Sequence, residues 1–443
     1  MRTYLDHAST SPLRPEARAA LVEALDLVGD PGRIHAEGLT ARVAVEQARD
    51  RVAALFGARN REVVLTSGAT EAIAAACWGT AERGAHQVVT AVEHSAVRLA
   101  ADRHGAVTAV PVDGAGRVDP DAVMAAVRPD TALLHVQWGN HEVGTVQPVA
   151  AVVAACRARG VLVHVDAAQA AGHAPIAFDE LGADLLSVSA HKLGGPAGVG
   201  ALLVRRGVRL TPLLVGGDQE RARRAGLENV AGVVGFGAAC ATLAGAAPAP
   251  TPPAPAPAPS GTDGDGGDRR SGAGGSSGDG SGSDGGSSGD GGSDDDGSGA
   301  GASGDRDVGG GPGPASRLEA EAEDQRRLTR RIVAGTAPLD GLVLYGPADE
   351  ADRLPHVVCL GVEGIEPQAV LLGLDRTGIA AHSGSACSSE SLEPSPVLEA
   401  MGVDAHHSLR LSVGWSSTGA DVDHLLTALP AVLAELRSLA TGR

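Results

Sequence analysis

Short apolar runs alternate with stretches of helical periodicity in the part of the chain that precedes residue 248. The runs are VVLT (63–66), QVVTAV (87–92), ALLHVQW (132–138), VLVHVD (161–166), LLSVS (185–189) and ALLV (201–204). Apolar runs of this length, bounded by polar residues, are typical of buried strands, and their alternation with helices is typical of βαβ units. The pattern therefore predicts an α/β fold with a mostly parallel central sheet.

The stretch PVAAVVAACRARG (148–160) shows how the predicted helices begin and end. Pro148 stands near the first helical position, where its missing N–H removes no hydrogen bond, and Gly160 stands just past the last turn. Another helical pattern, SRLEAEAEDQRRLTRRIV, begins at residue 316 after a long interruption. We therefore expect the folded chain to resume at about residue 315.

Residues 248–314 have a composition unlike the rest of the chain. A Pro/Ala-rich stretch is followed by a Gly/Ser/Asp-rich one, and 11 Asp against 3 Arg contribute −8 of the net charge of −18. A segment with so few apolar side chains cannot offset the entropy of ordering, so it is predicted to be disordered. A tolerated surface insertion is the simpler interpretation, and a specific docking arm is the alternative.

Charge and composition argue against several classes of protein. A net charge of −18 without a basic cluster argues against direct nucleic-acid binding. No apolar run is long enough to cross a membrane, and MRTYLDHASTSP carries charge where a signal peptide has an apolar stretch, so a cytoplasmic protein is expected. The five cysteines contain no C-x-x-C pair, which argues against a disulfide framework and against a metal site.

Polar residues follow most of the predicted strands. In open α/β sheets, ligands bind beyond the carboxyl ends of the strands, so these residues are expected to share one site. In chain order they are SGATEA (67–72), His94, Asn140, Asp166, Gln169, Ser189, His191 and Lys192. SGATEA has the form of a tight Gly turn that opens a helix, where free N–H groups and the helix dipole favour a phosphate. Helix capping by Ser67 or Thr70 is the alternative interpretation.

Lys192 is the only lysine among the 36 basic residues of the chain. Arginine replaces lysine wherever positive charge alone is needed, but a guanidinium keeps its proton in proteins and cannot act as a neutral nucleophile. A lysine amine can lose its proton and condense with a carbonyl. The lysine in SVSAHKLGGPAG (187–198) is therefore predicted to have a covalent role, and an ordinary surface lysine is the alternative.

The neighbouring residues indicate which carbonyl-containing cofactor Lys192 would bind. Asp166 ends a strongly apolar strand, where an unpaired carboxylate is costly and a cationic partner is needed. His94 offers a flat ring, although a lone histidine is often structural. Pyridoxal phosphate (PLP) combines an aldehyde for Lys192, a ring nitrogen for Asp166, a phosphate for the Gly turn and a flat ring for His94.

Cys387 differs from the other cysteines in its surroundings. It lies in AHSGSACSSESLEPSPVLEAMG (381–402), among small and polar residues that let a thiol move to a substrate and away again. An exposed cysteine without a function is the alternative. The other four have helix-like or strand-like contexts and are predicted to be structural: Cys77, Cys156, Cys240 and Cys359.

Successive stretches of the chain resemble the motifs of the cysteine desulfurases of the NifS/IscS type, which belong to class V of the fold-type I PLP enzymes. They are YLDHASTSPL, SGATEA, EHSAV, NHEVGTVQP, VDAAQ, SVSAHKLGGPAGVGALLVRR and SGSACSSESLEPSPVL. The resemblance implies a fold-type I PLP-dependent transferase. Its large PLP-binding domain would comprise residues 14–247, and a smaller α/β C-terminal domain, residues 1–13 plus 315–443, would carry the Cys387 loop. It also implies a homodimer, although Leu227 replaces a Thr that in this family commonly reaches the cofactor phosphate of the partner subunit.

The resemblance further implies a role for each matching cofactor residue. Lys192 would hold PLP covalently and later move the α-proton of the substrate. His94 would stack on the ring and assist proton transfer, Asp166 would pair with the ring nitrogen, and Gln169 would pair with the phenolic oxygen. The phosphate would be bound by the backbone near Ala69 and by Thr70, Ser189 and His191.

Substrate binding and sulfur chemistry are implied in the same way. Asn140 and Arg410 would bind the carboxylate of L-cysteine, a task that suits a guanidinium fork. Cys387, as a thiolate, would attack the sulfur of PLP-bound cysteine, which leaves L-alanine and an enzyme persulfide. The persulfide sulfur would pass to an acceptor protein, for iron–sulfur cluster assembly or tRNA thiolation.

Two other functions stay open at this point. Another class V PLP enzyme, such as a selenocysteine lyase or an aminotransferase, would need no thiol at position 387. A noncatalytic sulfur-carrier or assembly scaffold would use the acidic insertion as a binding arm, and it would need neither Lys192 nor Asp166.

Deletion of residues 248–314 distinguishes the enzyme from the scaffold. We expect near-normal alanine formation from cysteine, because a tolerated surface insertion contributes little to a folded core. Alanine release is measured beside the full-length protein at equal PLP occupancy. A shortened protein that folds and binds PLP but no longer forms alanine would contradict the expectation.

Overall fold

Three β-sheets and their covering helices make up the described chain, which in this computed structural model comprises residues 2–245, 316–384 and 394–440. The strands are β1 (Thr3–Tyr4), β2 (Val63–Thr66), β3 (His86–Thr90), β4 (Ala106–Val110), β5 (Thr131–Gln137), β6 (Leu162–Asp166), β7 (Leu185–Ser189), β8 (Gly200–Val204), β9 (Leu342–Tyr345), β10 (Val357–Val362), β11 (Ile379–Ala380) and β12 (Ser408–Ser412). The helices are α1 (Pro15–Ala24), α2 (Ala36–Leu55), α3 (Ala69–Thr80), α4 (Ser95–His104), α5 (Pro120–Ala126), α6 (Val149–Ala158), α7 (Phe178–Leu181), α8 (Gln219–Ala222), α9 (Val230–Leu243), α10 (Arg317–Thr336), α11 (Pro367–Arg376), α12 (Pro396–Met401) and α13 (Gly419–Ala440).

The central sheet has seven strands in the order β2-β8-β7-β6-β5-β3-β4. β8 runs antiparallel to both of its neighbours, and the other neighbouring strands pair in parallel. β7 and β8 are buried at every position. Because both faces are covered, their sequences are continuous apolar runs rather than alternating ones. The predicted strands and the mostly parallel sheet are confirmed.

The helix α6 and the edge strand β4 show what the local sequence pattern can predict and what it cannot. The helix predicted in residues 148–160 is α6, and Pro148 precedes its first residue. The edge strand β4, AVTAV (106–110), was not predicted. Only its last residue is buried. A half-exposed edge strand does not need the continuous apolar run that marks a central strand, so it carries a weaker signal.

The C-terminal part of the chain builds a second apolar core together with the N-terminus. β12, β10 and β9 form an antiparallel sheet, and β1 pairs with β11 in a separate parallel pair. Leu5 packs into the same core as Leu411. The Ser412 N–H donates to the Leu5 carbonyl at 2.8 Å. The N-terminal segment is thus tied to the C-terminal sheet, whereas the exact boundaries of the two expected domains stay a prediction.

Two features from the sequence lie outside the described residues: the insertion at 248–314 and Cys387. Within the ranges that are described, no helix is both long enough and apolar enough to cross a membrane.

A buried ion pair stabilises an unusual turn beside β2. Glu220, Arg221 and Ala222 in α8 have positive φ angles of 49°, 59° and 58°, a conformation that costs non-glycine residues free energy. The Glu220 carboxylate accepts hydrogen bonds from the Arg49 guanidinium at 2.6 and 2.8 Å and from the Leu65 N–H at 2.9 Å. Both charged side chains are almost fully buried, so each needs the other as counter-charge. The pair therefore anchors the turn to α2 and to β2.

Replacing Glu220 with Gln should destabilise the protein by about 3–5 kcal/mol, because Arg49 would lose its buried counter-charge. Glu46→Gln is the matched control, since Glu46 bonds the same guanidinium at 3.1 Å but its side chain is 40% exposed. We expect the control to lose at most about 1 kcal/mol. Urea unfolding followed by circular dichroism measures both free energies. Equal losses in the two variants would show that burial of the pair does not matter.

Candidate active site

A cavity of about 410 Å³ opens at the carboxyl ends of β5, β6 and β7. The last residue of each strand, Gln137, Asp166 and Ser189, contributes to its wall. The volume falls in the range of small-molecule sites. The wall contains every residue that the sequence analysis assigned to the cofactor: Ala69, Thr70, His94, Asp166, Gln169, Ser189, His191 and Lys192. The fold thus brings these residues together at one edge of the sheet.

The N-terminus of α3 forms one side of the cavity. β2 ends at Thr66 and the helix begins at Ala69, so Ser67 and Gly68 make the connection. Gly68 has a φ of 151°, which residues with a Cβ rarely adopt. The first N–H groups of a helix have no partner within it, and together with the helix dipole they favour an anion. Ser189 lies on the same side, because its Oγ is 3.5 Å from the position that a Cβ on Gly68 would take.

His94 caps the N-terminus of α4 and reaches the cavity with a neutral ring. Its Nδ1 accepts a hydrogen bond from the Ala96 N–H at 3.1 Å, so the proton of the neutral imidazole is on Nε2. Burial, followed by the neighbouring His141, lowers the pKa of His94 to about 4. The two imidazoles meet edge to face, with 5.0 Å between centroids. His94 therefore presents a flat, uncharged ring at neutral pH.

Asp166 is fixed at the end of β6 by hydrogen bonds to one of its oxygens. Oδ1 accepts from the Ala168 N–H and from the Ser187 hydroxyl, each at 3.0 Å. The residue is only 8% exposed. No Lys, Arg or His nitrogen of the described residues lies within ion-pair distance of it, so the cationic partner expected from the sequence is not supplied by those side chains. A protonated ring nitrogen in the cavity would supply that charge.

Lys192 lies in the short turn after β7, with its side chain partly buried. Its Nζ donates to the carbonyl of Ala8 in the N-terminal segment. Burial, followed by the positive charge of Arg410, lowers the pKa of this amine to about 7. Asp6 and Asp166 act in the opposite direction. A large fraction of the amine is therefore neutral at physiological pH, which is the state that attacks a carbonyl.

Arg410, expected to bind the substrate carboxylate, does not line the cavity. It is 2% exposed in β12. Its guanidinium donates to Ser9 Oγ at 2.6 Å, to Asp6 Oδ1 at 3.0 Å and to the His141 carbonyl at 2.9 Å. Its Nε is buried and has no partner among the described residues. Both terminal nitrogens of the guanidinium are thus already bonded, and the substrate-binding role of Arg410 stays a prediction.

Asn140, the other residue expected at the substrate carboxylate, is fully buried and also lies off the cavity wall. Its Oδ1 accepts from the N–H groups of Glu142 and Val143 at 2.8 and 2.9 Å, and its Nδ2 donates to the Val92 carbonyl at 3.2 Å. These bonds fix the turn after β5 and join it to the segment that carries His94. Contact with a substrate stays a prediction for this residue.

The four cysteines predicted to be structural are buried: Cys77, Cys156, Cys240 and Cys359. Burial raises the pKa of Cys77 to about 12 and that of Cys156 to about 11, and it raises the pKa values of the other two as well. These thiols are therefore poor nucleophiles. Cys387 lies outside the described residues.

Sequence reasoning missed two histidines at this site. His141 lines the cavity and directly follows Asn140, so the rule that ligands bind beyond the strand ends could have found it. His356 lies 2.7 Å from the Gln169 amide, Nε2 to Nε2. Nothing in its local sequence, LPHVV (354–358), distinguishes it from a core histidine.

The residues of the cavity fit pyridoxal phosphate. A nucleophilic amine, a carboxylate with no ion-pair partner in the described part of the chain, and an uncharged imidazole share the wall with a helix N-terminus. Gln169 adds a further polar group, since its buried Oε1 has no hydrogen-bond partner among the described residues. By contrast, no group of His, Cys, Asp or Glu in the described ranges is arranged to bind a metal ion.

Comparison with known proteins identifies the family of this chain. The family model described as "Aminotransferase class-V" matches residues 3–248 and 315–425. "Cysteine desulfurase IscS" of Dictyoglomus turgidum is 34% identical over 98% of this chain and 95% of its own length. "Cysteine desulfurase" of Gluconacetobacter diazotrophicus is 36% identical over 98% of this chain and 94% of its own.

Solved structures share the same fold. A "NIFS-LIKE PROTEIN" superposes with a TM-score of 0.76 at 27% identity, over 98% of this chain and 100% of that one. The apo structure of a cysteine desulfurase from Thermococcus onnurineus NA1 gives a TM-score of 0.75 at 21% identity, over 98% of this chain and 95% of that one, which shows a shared fold.

The fold and the cavity define a PLP-dependent enzyme of fold-type I. The chain belongs to the class-V aminotransferase family and, within it, to the cysteine desulfurases.

The single lysine allows a direct test of the buried amine. Isotope-labelled lysine gives one side-chain NMR signal, which should titrate with a midpoint of about 7 in the native, cofactor-free protein. In urea the midpoint should rise to about 10.4. Between these values the unfolded chain binds more protons, so this group should make stability increase with pH across that window. A native midpoint at the unfolded value would refute burial of the amine.

Proposed function

We propose that the protein is a PLP-dependent cysteine desulfurase, which converts L-cysteine to L-alanine and transfers the sulfur through a cysteine persulfide to an acceptor. The observation that carries the proposal is the Lys192 amine, whose pKa is lowered to about 7, on the wall of the cavity that Asp166 and His94 also line. Full-length identity of 34–36% to cysteine desulfurases supports the same function.

When bound, the cofactor supplies an aldehyde carbon for an amine and a ring that withdraws electrons. Lys192 provides the neutral amine and, once released, a base for the α-proton of the substrate. Asp166 would balance a positive ring nitrogen. His94 would pack on the ring and offer its Nε2–H as a donor, since Nδ1 is already bonded to the Ala96 N–H.

The N-terminus of α3 would hold the phosphate group of the cofactor. The backbone near Ala69 and the hydroxyls of Thr70 and Ser189 contribute hydrogen bonds, and His191 adds a ring nitrogen. Burial, followed by the charge of Lys192, lowers the pKa of His191 to about 4, so this ring takes part as a neutral donor. The cavity wall on which these groups meet supports the assignment.

The substrate carboxylate is bound by Arg410, with Asn140 stabilising the adjacent turn. Arg410 can donate to a new anionic partner for two reasons. One of its present bonds is to the neutral hydroxyl of Ser9, and its Nε has no partner among the described residues. Exchange of the hydroxyl for a carboxylate replaces a neutral acceptor by a charged one, which strengthens the hydrogen bond.

The sulfur step uses Cys387 as a thiolate. A bond forms between the Cys387 sulfur and the substrate sulfur while the substrate C–S bond breaks, and protonation of the carbon then yields L-alanine. Residues on both sides of the Cys387 segment support this role. Ser395 donates to Glu142 at 2.6 Å, and the Arg410 N–H donates to the His382 carbonyl at 2.6 Å. The residues that precede and follow the Cys387 segment, His382 and Ser395, are therefore bonded close to Arg410.

The acceptor is a sulfur-binding protein, and the enzyme acts in the cytoplasm as a homodimer. Large apolar side chains exposed between residues 22 and 39 support dimerisation, because an interface between two copies would bury them. They are Val22, Leu25, Val28, Ile34 and Leu39.

Two variants test the chemistry. Lys192→Ala should reduce alanine formation by about 10³-fold or more, because it removes both the covalent attachment and the base. Cys387→Ser should keep the visible colour of bound PLP but lose protein persulfide and alanine formation. Alanine is measured by chromatography and persulfide by mass spectrometry.

Intact turnover in Cys387→Ala would instead assign the protein to another class V reaction that needs no thiol, such as that of a selenocysteine lyase or an aminotransferase. A wild-type protein that binds PLP but forms no alanine from cysteine would refute the desulfurase itself.

A further inference from the structure

Three buried polar atoms without partners lie together behind the cavity. They are Gln169 Oε1, His356 Nδ1 and His173 Nε2, out of nine such side-chain atoms in the described ranges. The three residues are 5%, 0% and 3% exposed. A buried polar group without a partner costs about 1–3 kcal/mol, so a cluster of them calls for a functional explanation.

The three side chains contact one another in series and link the segment after β6 to β10 and α10. Gln169 follows β6, and His356 immediately precedes β10. Their side chains approach to 2.7 Å, Nε2 to Nε2. The His356 ring stacks on His173 with 3.5 Å between centroids and 13° between planes. His173 Nδ1 in turn donates to Gln325 Oε1 of α10 at 2.9 Å. The stack therefore fixes the plane of the His356 ring.

Both histidines are uncharged. Burial, as the largest cause, lowers the pKa of His173 to about 4 and that of His356 well below its usual value. Any positive charge on the neighbouring His173, His7, Lys192 or Arg410 acts on the pKa of His356 in the same direction. Each neutral ring has one donor and one acceptor nitrogen. His356 can therefore offer Gln169 either a lone pair or an N–H, but not both at once.

The two possibilities differ in what remains unpaired. If His356 accepts from the Gln169 NH₂, its own N–H is on Nδ1, where it has no partner, and Gln169 Oε1 also remains unpaired. If the amide rotates by 180° and His356 donates from Nε2, the amide oxygen is satisfied, and on the His356 ring only the Nδ1 lone pair remains unpaired. The Gln169 NH₂ is then unpaired at the cavity wall and needs an acceptor there.

We propose that His356 is a positioning residue that donates from Nε2 to the Gln169 amide oxygen and so directs the Gln169 NH₂ to the ring oxygen of bound PLP. The stack with His173 holds the donor in place. This inference rests on the proposed function, in which Gln169 pairs with that oxygen. It adds a residue that the motif resemblance does not include, 187 positions away from Gln169 in the chain.

The test is a pH titration of the visible absorption band of the PLP-loaded protein. A donor to the ring oxygen favours the form with more negative charge on that oxygen. His356→Phe keeps an aromatic ring for the stack but removes the donor. We expect its titration midpoint to rise by about one pH unit relative to wild type, the shift that corresponds to one lost hydrogen bond. The other titratable groups of the wall are unchanged: Glu71, His94, His141, Asp166, His191 and Lys192.

Matched variants separate positioning from general disturbance. His356→Gln can still donate from its side-chain amide and should restore a midpoint close to wild type. His173→Phe keeps the stack and the bond between His356 and Gln169, so its midpoint should stay unchanged although its thermal stability falls. Gln169→Leu should raise the midpoint as His356→Phe does, and the double variant should shift no further, because both changes remove the same interaction.

The outcomes are distinguishable. An unchanged midpoint in His356→Phe beside a raised one in Gln169→Leu would overturn the inference, and so would an equal shift in His173→Phe. An unchanged midpoint in Gln169→Leu would overturn it as well, while alanine formation by the wild type would leave the proposed function standing. If His356→Phe does not fold, comparison of His356→Leu with His356→Gln provides the same test.

Discussion

The amine of Lys192 must be neutral to react and must still be held in place, and this requirement constrains the rest of the site. Burial alone would favour the neutral form but would leave its N–H donors without partners. The carbonyl of Ala8 accepts from Nζ and satisfies a donor without adding a full negative charge. An arginine at this position would keep its proton and could not form the covalent bond. A chain that otherwise uses arginine therefore needs its one lysine here.

The N-terminal segment connects the amine to the rest of the site. Ala8 contacts Lys192, and Asp6 and Ser9, within the same four residues, contact Arg410. The Ser412 N–H donates to Leu5, next to this segment. The segment thus joins the turn after β7 to the C-terminal sheet. This gives YLDHASTSPL, which contains no obvious catalytic residue, a structural role beside the site.

The polar groups around the cavity differ in how completely they are bonded. Asn140 uses its side chain for the backbone of its own turn and of the neighbouring loop, so it stabilises the scaffold. Gln169 and Arg410 each keep a buried atom without a partner among the described residues. Such atoms are costly in the free protein and become bonded when a ligand of matching shape enters. The rigid strands and turns that carry them pre-organise the site for that ligand.

The sequence predicted the main strands of the central sheet, the helix α6 and most of the polar residues on the cavity wall. It could do so because buried strands need continuous apolar runs, and because the carboxyl ends of parallel strands meet at one edge whatever the details of packing. The folded chain was needed to find the edge strand β4, the left-handed turn at Glu220, the partners of Arg410 and the contact of His356 with Gln169. Each of these depends on exposure at a sheet edge or on contacts between residues far apart in the chain, for which no local periodicity exists.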